Sequence, residues 1–187
     1  MRIVAGVWAG STLTSPGRRV RATAEEVRDG WLTFLGQRLE GARVLDLFAG
    51  SGALGLEALS RGASVADFVE NGAESLHALK ANVAARRLRA PGPGVRGKGA
   101  RVFKRDAIPF VRGLDAGAYD IAFADPPYGS RKLELVVRRW LEVPFATILG
   151  VEHAAREQVP PGGTRLDFGE VVVTVYGAST GGRGGGR

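Results

Sequence analysis

The sequence predicts an α/β fold: a doubly wound, mostly parallel sheet with a C-terminal antiparallel hairpin and a small N-terminal hairpin and helix. Three observations predict it. From Arg43 onward, short apolar runs of strand length alternate with longer helix-like segments, as in βαβ units around a parallel sheet. The first run, Val44-Leu45-Asp46-Leu47-Phe48, is nearly all apolar, as expected of a strand covered on both faces. It leads into Gly50-Ser51-Gly52-Ala53-Leu54-Gly55 and then a helix, the arrangement that holds nucleotide-shaped ligands at the carboxyl edge of such sheets.

Taken in order, residues 1–22 form an N-terminal arm. Strand-like pieces at 2–7 and 11–13, joined through Ala9-Gly10, read as a hairpin, and a basic loop follows at 16–21. The main domain spans 23–178. Thr23 reads as an N-cap with Glu26 completing a capping box. The helix it opens carries Val27, Trp31, Leu32, Phe34 and Leu35 and ends at Gly36. Gly30 in its interior costs about 1 kcal/mol relative to alanine, so this helix depends on packing. After the strand at 43–48 come a helix at 54–61 capped by Gly62, a strand at 64–70, and a helix capped by Asn71 that runs toward Arg87. Residues 91–99 form a Pro/Gly-rich basic loop. A strand at 100–104, a short helix at 107–114 and a strand at 119–124 follow, the last ending at Asp125-Pro126-Pro127-Tyr128. A helix at 132–141 and a strand at 147–152 precede a hairpin of 164–168 with 171–176. Residues 179–187, glycine and arginine with little else, are expected to be a disordered tail.

Composition narrows the functional classes. At 187 residues, 44% hydrophobic and with a mean hydropathy of −0.02, the chain suits one soluble domain. It has no apolar run near the ~18 residues of a membrane helix, and its N-terminus lacks the apolar core of a secretory signal. Without cysteine there is no disulfide and no thiolate nucleophile, and with His77 and His153 alone no metal site is expected. These features fit the cytoplasm, and a monomer is the default expectation. The net charge of +7 and pI near 10.5 suggest a polyanionic partner, although arginine in an Ala/Gly/Arg-rich chain also reflects composition bias.

The glycine turn satisfies Gly-x-Gly-x-x-Gly, and Glu70, about 20 residues on, suits ribose hydroxyls in either a NAD or an S-adenosylmethionine site. Two acids favour S-adenosylmethionine. Asp46, at the strand end before the turn, can face a cationic amino-acid portion, whereas phosphates would find it unfavourable. Asp106, just past the third strand, is placed to accept from an adenine amino group. Phe48, Gly50, Gly52, Asn71 and Ala107 adjoin these acids and are assigned to the same cofactor site.

Asp125-Pro126-Pro127-Tyr128 closes the fourth strand at the same edge. The prolines fix the backbone. The Asp125 carboxylate and the Pro126 carbonyl then offer two acceptors for the hydrogens of a planar amino group, and Tyr128 offers a face for a base to stack on. Arg2, Trp8, Arg18, Arg19, Arg21 and Arg28 interleave charge with an aromatic, which suits RNA backbone and unstacked bases. His77, Trp31 and Trp140 read as packing or surface residues, and His153 with Glu152 as an interior polar pair.

With these residues in hand, the chain resembles the bacterial RsmD family, which methylates the N2 amino group of a guanine in small-subunit (16S) ribosomal RNA. The likeness is densest in Arg2-Ile3-Val4-Ala5-Gly6, in residues 44–63, in Asp125-Pro126-Pro127-Tyr128 and in Val151-Glu152-His153. The resemblance implies a Rossmann-like class I methyltransferase. In it Asp46, Gly50 and Gly52 line the S-adenosylmethionine site, Glu70 holds ribose, Asp106 holds adenine, and residues 125–128 hold the target guanine. It also implies an RNA-engaging N-terminal hairpin and a target within the small ribosomal subunit or its assembly intermediate. The chain departs from the family's pattern at Val7, Ser11, Ala22, Glu26, Gly30 and Thr33. An N6-adenine methyltransferase on DNA or RNA would suit the same corner. An RNA-binding assembly factor without turnover is an alternative of another class.

Overall fold

The computed structural model describes residues 1–16, 25–92 and 97–177. Arg18, Arg19, Arg21, the Thr23 cap, residues 93–96 of the basic loop and the expected tail at 179–187 lie outside the described residues.

The chain runs α1 (Glu25–Leu35), a single 3-10 turn (Gly36–Leu39), β1 (Arg43–Leu47), α2 (Ala53–Ser60), β2 (Val65–Glu70), α3 (Ala73–Ala85) and β3 (Gly99–Lys104). It continues with α4 (Ala107–Arg112), β4 (Tyr119–Ala124), α5 (Lys132–Glu142), β5 (Ala146–Ala154), β6 (Thr164–Phe168) and β7 (Val171–Tyr176). The seven strands make one sheet, ordered β3-β2-β1-β4-β5-β7-β6. Strands β1 to β5 pair in parallel, and β7 lies antiparallel between β5 and β6. The α/β sheet with its C-terminal hairpin is thus the one the sequence predicts. Its strand order reverses between β1 and β4, where ligands of open α/β sheets bind.

Successive strand residues face opposite sides, so each strand feeds two helical layers. In β1, Val44 packs in the layer of Trp31 from α1, Leu56 from α2 and Leu79 from α3. Leu45 and Leu47 pack in the opposite layer, with Val111 of α4 and Val136 of α5. Asp46 alternates with Leu45 and Leu47 and so points to the α2 side. Registers align the functional edge. Leu47 pairs with Val69 and with Ala124, and Ala124 pairs with Val151. Glu70, Asp125 and Glu152 therefore follow at one level. Among the described residues, no helix is long and apolar enough to cross a membrane.

Three local expectations need correction. The N-terminal pieces pair antiparallel as a hairpin, but over a shorter span than expected. They share one bridge, Arg2 with Thr12, with Ile3 N–H donating to Ser11 O at 3.0 Å, Gly10 N–H to Ile3 O at 2.9 Å and Leu13 N–H to Met1 O at 3.0 Å. Past that short pairing the backbone bonds to α2. The Val4 and Ala5 N–H groups donate to the two carboxylate oxygens of Glu57, each at 2.8 Å, and Val7 N–H donates to Ser60 O at 2.9 Å. Asn71 does not cap α3. Gly72 holds the cap position, and the Glu70 carboxylate accepts from the Asn71 and Gly72 N–H groups at 2.8 and 2.6 Å. β5 extends beyond 152 because its pairing with β7 continues through Ala154 and Val171. The packing that α1 was expected to need is visible at Gly30, where a Cβ would lie 2.5 Å from the Phe168 ring.

Candidate active site

A cleft of about 500 Å³ opens at the carboxyl edge of β1, β2 and β4, within the size range of small-molecule sites. Asp46, Phe48, Gly50, Glu70 and Asn71 line one side, and Asp125 to Tyr128 the other. The turn after β1 is bent by positive φ angles, +56° at Gly50 and +81° at Gly52. A Cβ at Gly52 would also crowd Leu79, whose Cδ1 would lie 2.5 Å away, on top of the cost of its positive φ. Phe48 takes φ +60° without being glycine, a conformation that costs on the order of 1–3 kcal/mol and is tolerated mainly at functional sites.

Asp46 is 2% exposed, and one carboxylate oxygen accepts from Gly55 N–H at 2.9 Å. Burial pushes its pKa well above the usual carboxylate range. The Gly55 bond opposes that shift, while the charges of Asp125 and Glu70 reinforce it. A buried acid, held in place and lining an open cleft, fits a cationic ligand group far better than a phosphate. Glu70 ties the turn to α3: besides its two bonds at the start of α3, it accepts from Gly50 N–H at 2.8 Å.

Asp106 caps α4 by accepting from Ile108 N–H at 2.9 Å. Its other oxygen faces Asn71 Nδ2 at 3.4 Å and Lys132 Nζ at 3.5 Å. It does not line the main cleft. With Ala107 it borders a small recess alongside, whose walls of Phe48, Glu70, Asn71 and Lys132 are shared with the cleft. At the corner after β4, Asp125 is half-buried, Pro126 buried and Pro127 exposed. Tyr128 donates its phenol hydrogen to Glu152 at 3.0 Å.

The residues assigned to RNA separate. Arg2 is exposed and paired with Glu25 at 3.2 Å. Trp8 is half-buried, with the Arg86 guanidinium 5.6 Å from its ring centre. Arg28 is a correction: it is fully buried, bonded to Glu57 at 3.3 Å and to Arg2 O at 2.6 Å, and presents no surface to a nucleic acid. Its charge answers Glu57, a carboxylate drawn inside to hold the arm's N–H groups.

Sequence reasoning missed several residues that complete the site. Met1 and Pro16 bring the N-terminal arm to the cleft wall, and Lys132 contributes from the start of α5. Its ammonium lies 5.6 Å from the Phe48 ring centre. Nothing local marks these positions, because each reaches the cleft through tertiary packing. Glu152 had a usable signal, since adjacent β4 and β5 would place it level with Asp125.

An open sheet of this order, with acids at its carboxyl edge and an Asp-Pro-Pro-Tyr corner beside them, defines a class I S-adenosylmethionine-dependent methyltransferase. Residues 1–168 match the model of the family described as Conserved hypothetical protein 95. The chain is 34% identical over 143 residues to YlbH of Bacillus subtilis (strain 168), whose name assigns it provisionally as an rRNA methyltransferase; the match covers 73% of this chain and 72% of that one. It is 36% identical over 137 residues to Ribosomal RNA small subunit methyltransferase D of Escherichia coli (strain K12), covering 72% of this chain and 63% of that enzyme. A solved Escherichia coli structure, yhhF, provisionally named a methyltransferase, superposes with a TM-score of 0.76 at 31% identity, covering 94% of this chain and 96% of that one. The chain belongs to this family, the RsmD family its motifs resemble.

Proposed function

We propose that the protein methylates the exocyclic N2 amino group of a guanine in small-subunit ribosomal RNA, acting as a cytoplasmic monomer on the ribosomal particle or its assembly intermediate. The observation that carries this reading is one cleft bounded by buried Asp46 on one side and by Asp125 to Tyr128 on the other. The activity named for the Escherichia coli relative supports ribosomal RNA as the substrate, and the net charge of +7 agrees with it.

S-adenosylmethionine supplies a methyl group on a sulfonium, an electrophile that needs no further activation. Asp46 would hold its ammonium end, Glu70 its ribose and Asp106 its adenine, with Phe48, Asn71 and Ala107 alongside. The residues of the corner act on the acceptor. An amino group on a purine is a weak nucleophile because its lone pair is delocalised into the ring. The Asp125 carboxylate and Pro126 carbonyl would each accept a hydrogen bond from it, which favours a more tetrahedral nitrogen and exposes the lone pair. The surplus proton of the methylated nitrogen would then leave to the Asp125 carboxylate. Tyr128 supports the plane of the base, and burial around Pro126 limits water.

The test is transfer of a labelled methyl group to small-subunit particles that lack the mark. Wild-type protein is expected to label the particles. Asp125→Ala is expected to reduce turnover by about 10²-fold or more, with cofactor binding retained. Absence of label on particles, naked RNA and DNA would overturn the reading, and full turnover by Asp125→Ala would overturn the mechanism.

A further inference from the structure

The corner that carries the acceptor chemistry is a loop without regular structure, and its own Ser130 N–H to Pro127 O bond is long at 3.3 Å. Two carboxylates, one near the end of β5 and one just beyond that strand, take over the task of shaping it. Glu152 accepts from the Tyr128 phenol at 3.0 Å, and Glu157 accepts from Gly129 N–H at 2.6 Å. Glu157 is itself fastened to the strand, since its other oxygen accepts from Ala154 N–H at 3.0 Å. Glu152 is 2% exposed on a central strand paired with β4 on one side and β7 on the other. Neither glutamate lines the cleft.

We propose that Glu152 is a positioning residue for methyl transfer. Anchoring the phenol oxygen fixes the far end of the Tyr128 ring and so its plane, while Glu157 fixes the next residue of the loop. A bond from a hydroxyl to a carboxylate is roughly twice as strong as one between neutral partners. The ring follows Asp125 and Pro126 across Pro127, so its tilt sets where a stacked base presents its amino group. A misplacement of about 1 Å at a reacting centre costs on the order of 10²-fold in rate. The proposal rests on the methyl-transfer reading above and adds to it a residue that touches neither cofactor nor substrate.

The experiment measures steady-state transfer to unmarked small-subunit particles, together with cofactor affinity, for Glu152→Ala, Glu152→Gln, Tyr128→Phe and the Glu152→Ala/Tyr128→Phe pair. Glu152→Ala is expected to lower kcat/KM for the RNA at least roughly tenfold, with cofactor affinity unchanged. Glu152→Gln, which keeps the volume and an acceptor oxygen, is expected to recover most of that loss. Tyr128→Phe removes the same bond from its exposed end, and it carries the test should Glu152→Ala not fold. The double variant is expected to lose no more than the worse single, because both act through one bond. Wild-type kinetics in Glu152→Ala, losses that multiply in the double variant, or a Gln variant as poor as the Ala variant would each overturn the proposal. A wild-type chain inactive on every RNA offered would instead overturn the functional reading beneath it.

Discussion

Asp46 holds a carboxylate where burial opposes its charge, and that opposition has a measurable consequence. Its pKa is raised in the folded protein, first by desolvation and then by the nearby Asp125 and Glu70. Its contribution to stability is therefore full below the ordinary carboxylate pKa and is lost as pH rises through the raised folded value. A bound cation favours the ionised form, so binding releases a proton wherever Asp46 is protonated in the free protein, and affinity rises with pH across that window. Calorimetric titration with S-adenosylmethionine at mildly acidic pH, in two buffers of different ionisation enthalpy, is expected to give different heats. Asp46→Asn is expected to remove the difference, and equal heats for the wild type would contradict the assignment. Asp46 and Asp125 could be read from the sequence because Asp46 interrupts an apolar run just before a glycine turn, and Asp125 closes another just before two prolines that fix the backbone. Arg28 could not. Its type and place suggested a surface charge, and the partner that draws it inside, Glu57, lies 29 residues away.

At the scale of elements, α2 serves two purposes. Its first turn follows the glycine bend of the cleft, and its later residues Glu57 and Ser60 hold the N-terminal arm. Glu57 accepts from Val4, Ala5, Arg28 and Arg61, so a single buried carboxylate joins arm, α1 and α2. Arg28→Ala removes one cation from this group while Arg61 remains. It is expected to lower stability by about 3 kcal/mol, the lower end for breaking a buried pair, as measured by chemical denaturation. At temperatures where the variant is fully folded, its RNA affinity is expected to match the wild type. A stability change near zero, or an RNA defect without one, would contradict the structural role. Element boundaries were most legible where local chemistry marks both ends, as in β4 before Asp125-Pro126 and in β6 and β7 around Gly169-Glu170. The arm was least legible. Its hairpin pairing is short, because the Val4 and Ala5 N–H groups turn to the Glu57 side chain of α2 instead of extending it.

For the whole molecule, the sheet order brings Asp46, Glu70 and Asp125 to one edge from three strands and adds Asp106 at a neighbouring recess. The arm closes the wall with Met1 and Pro16, which couples the N-terminal residues to the cleft. The alternation of strands and helices made that edge predictable, since strand ends in a parallel sheet meet without any long-range sequence signal. Part of its walls was not predictable, because Met1, Pro16 and Lys132 arrive by packing alone. The central claim is that this edge delivers a methyl group to a guanine amino group of small-subunit RNA. A mass-spectrometric map of modified nucleosides in small-subunit RNA, from cells with and without the gene, tests it most directly. One N2-methylguanosine is expected to disappear without the gene, to return with the wild-type chain and to stay absent with Asp125→Ala. An unchanged map, or loss of N6-methyladenosine in its place, would contradict it.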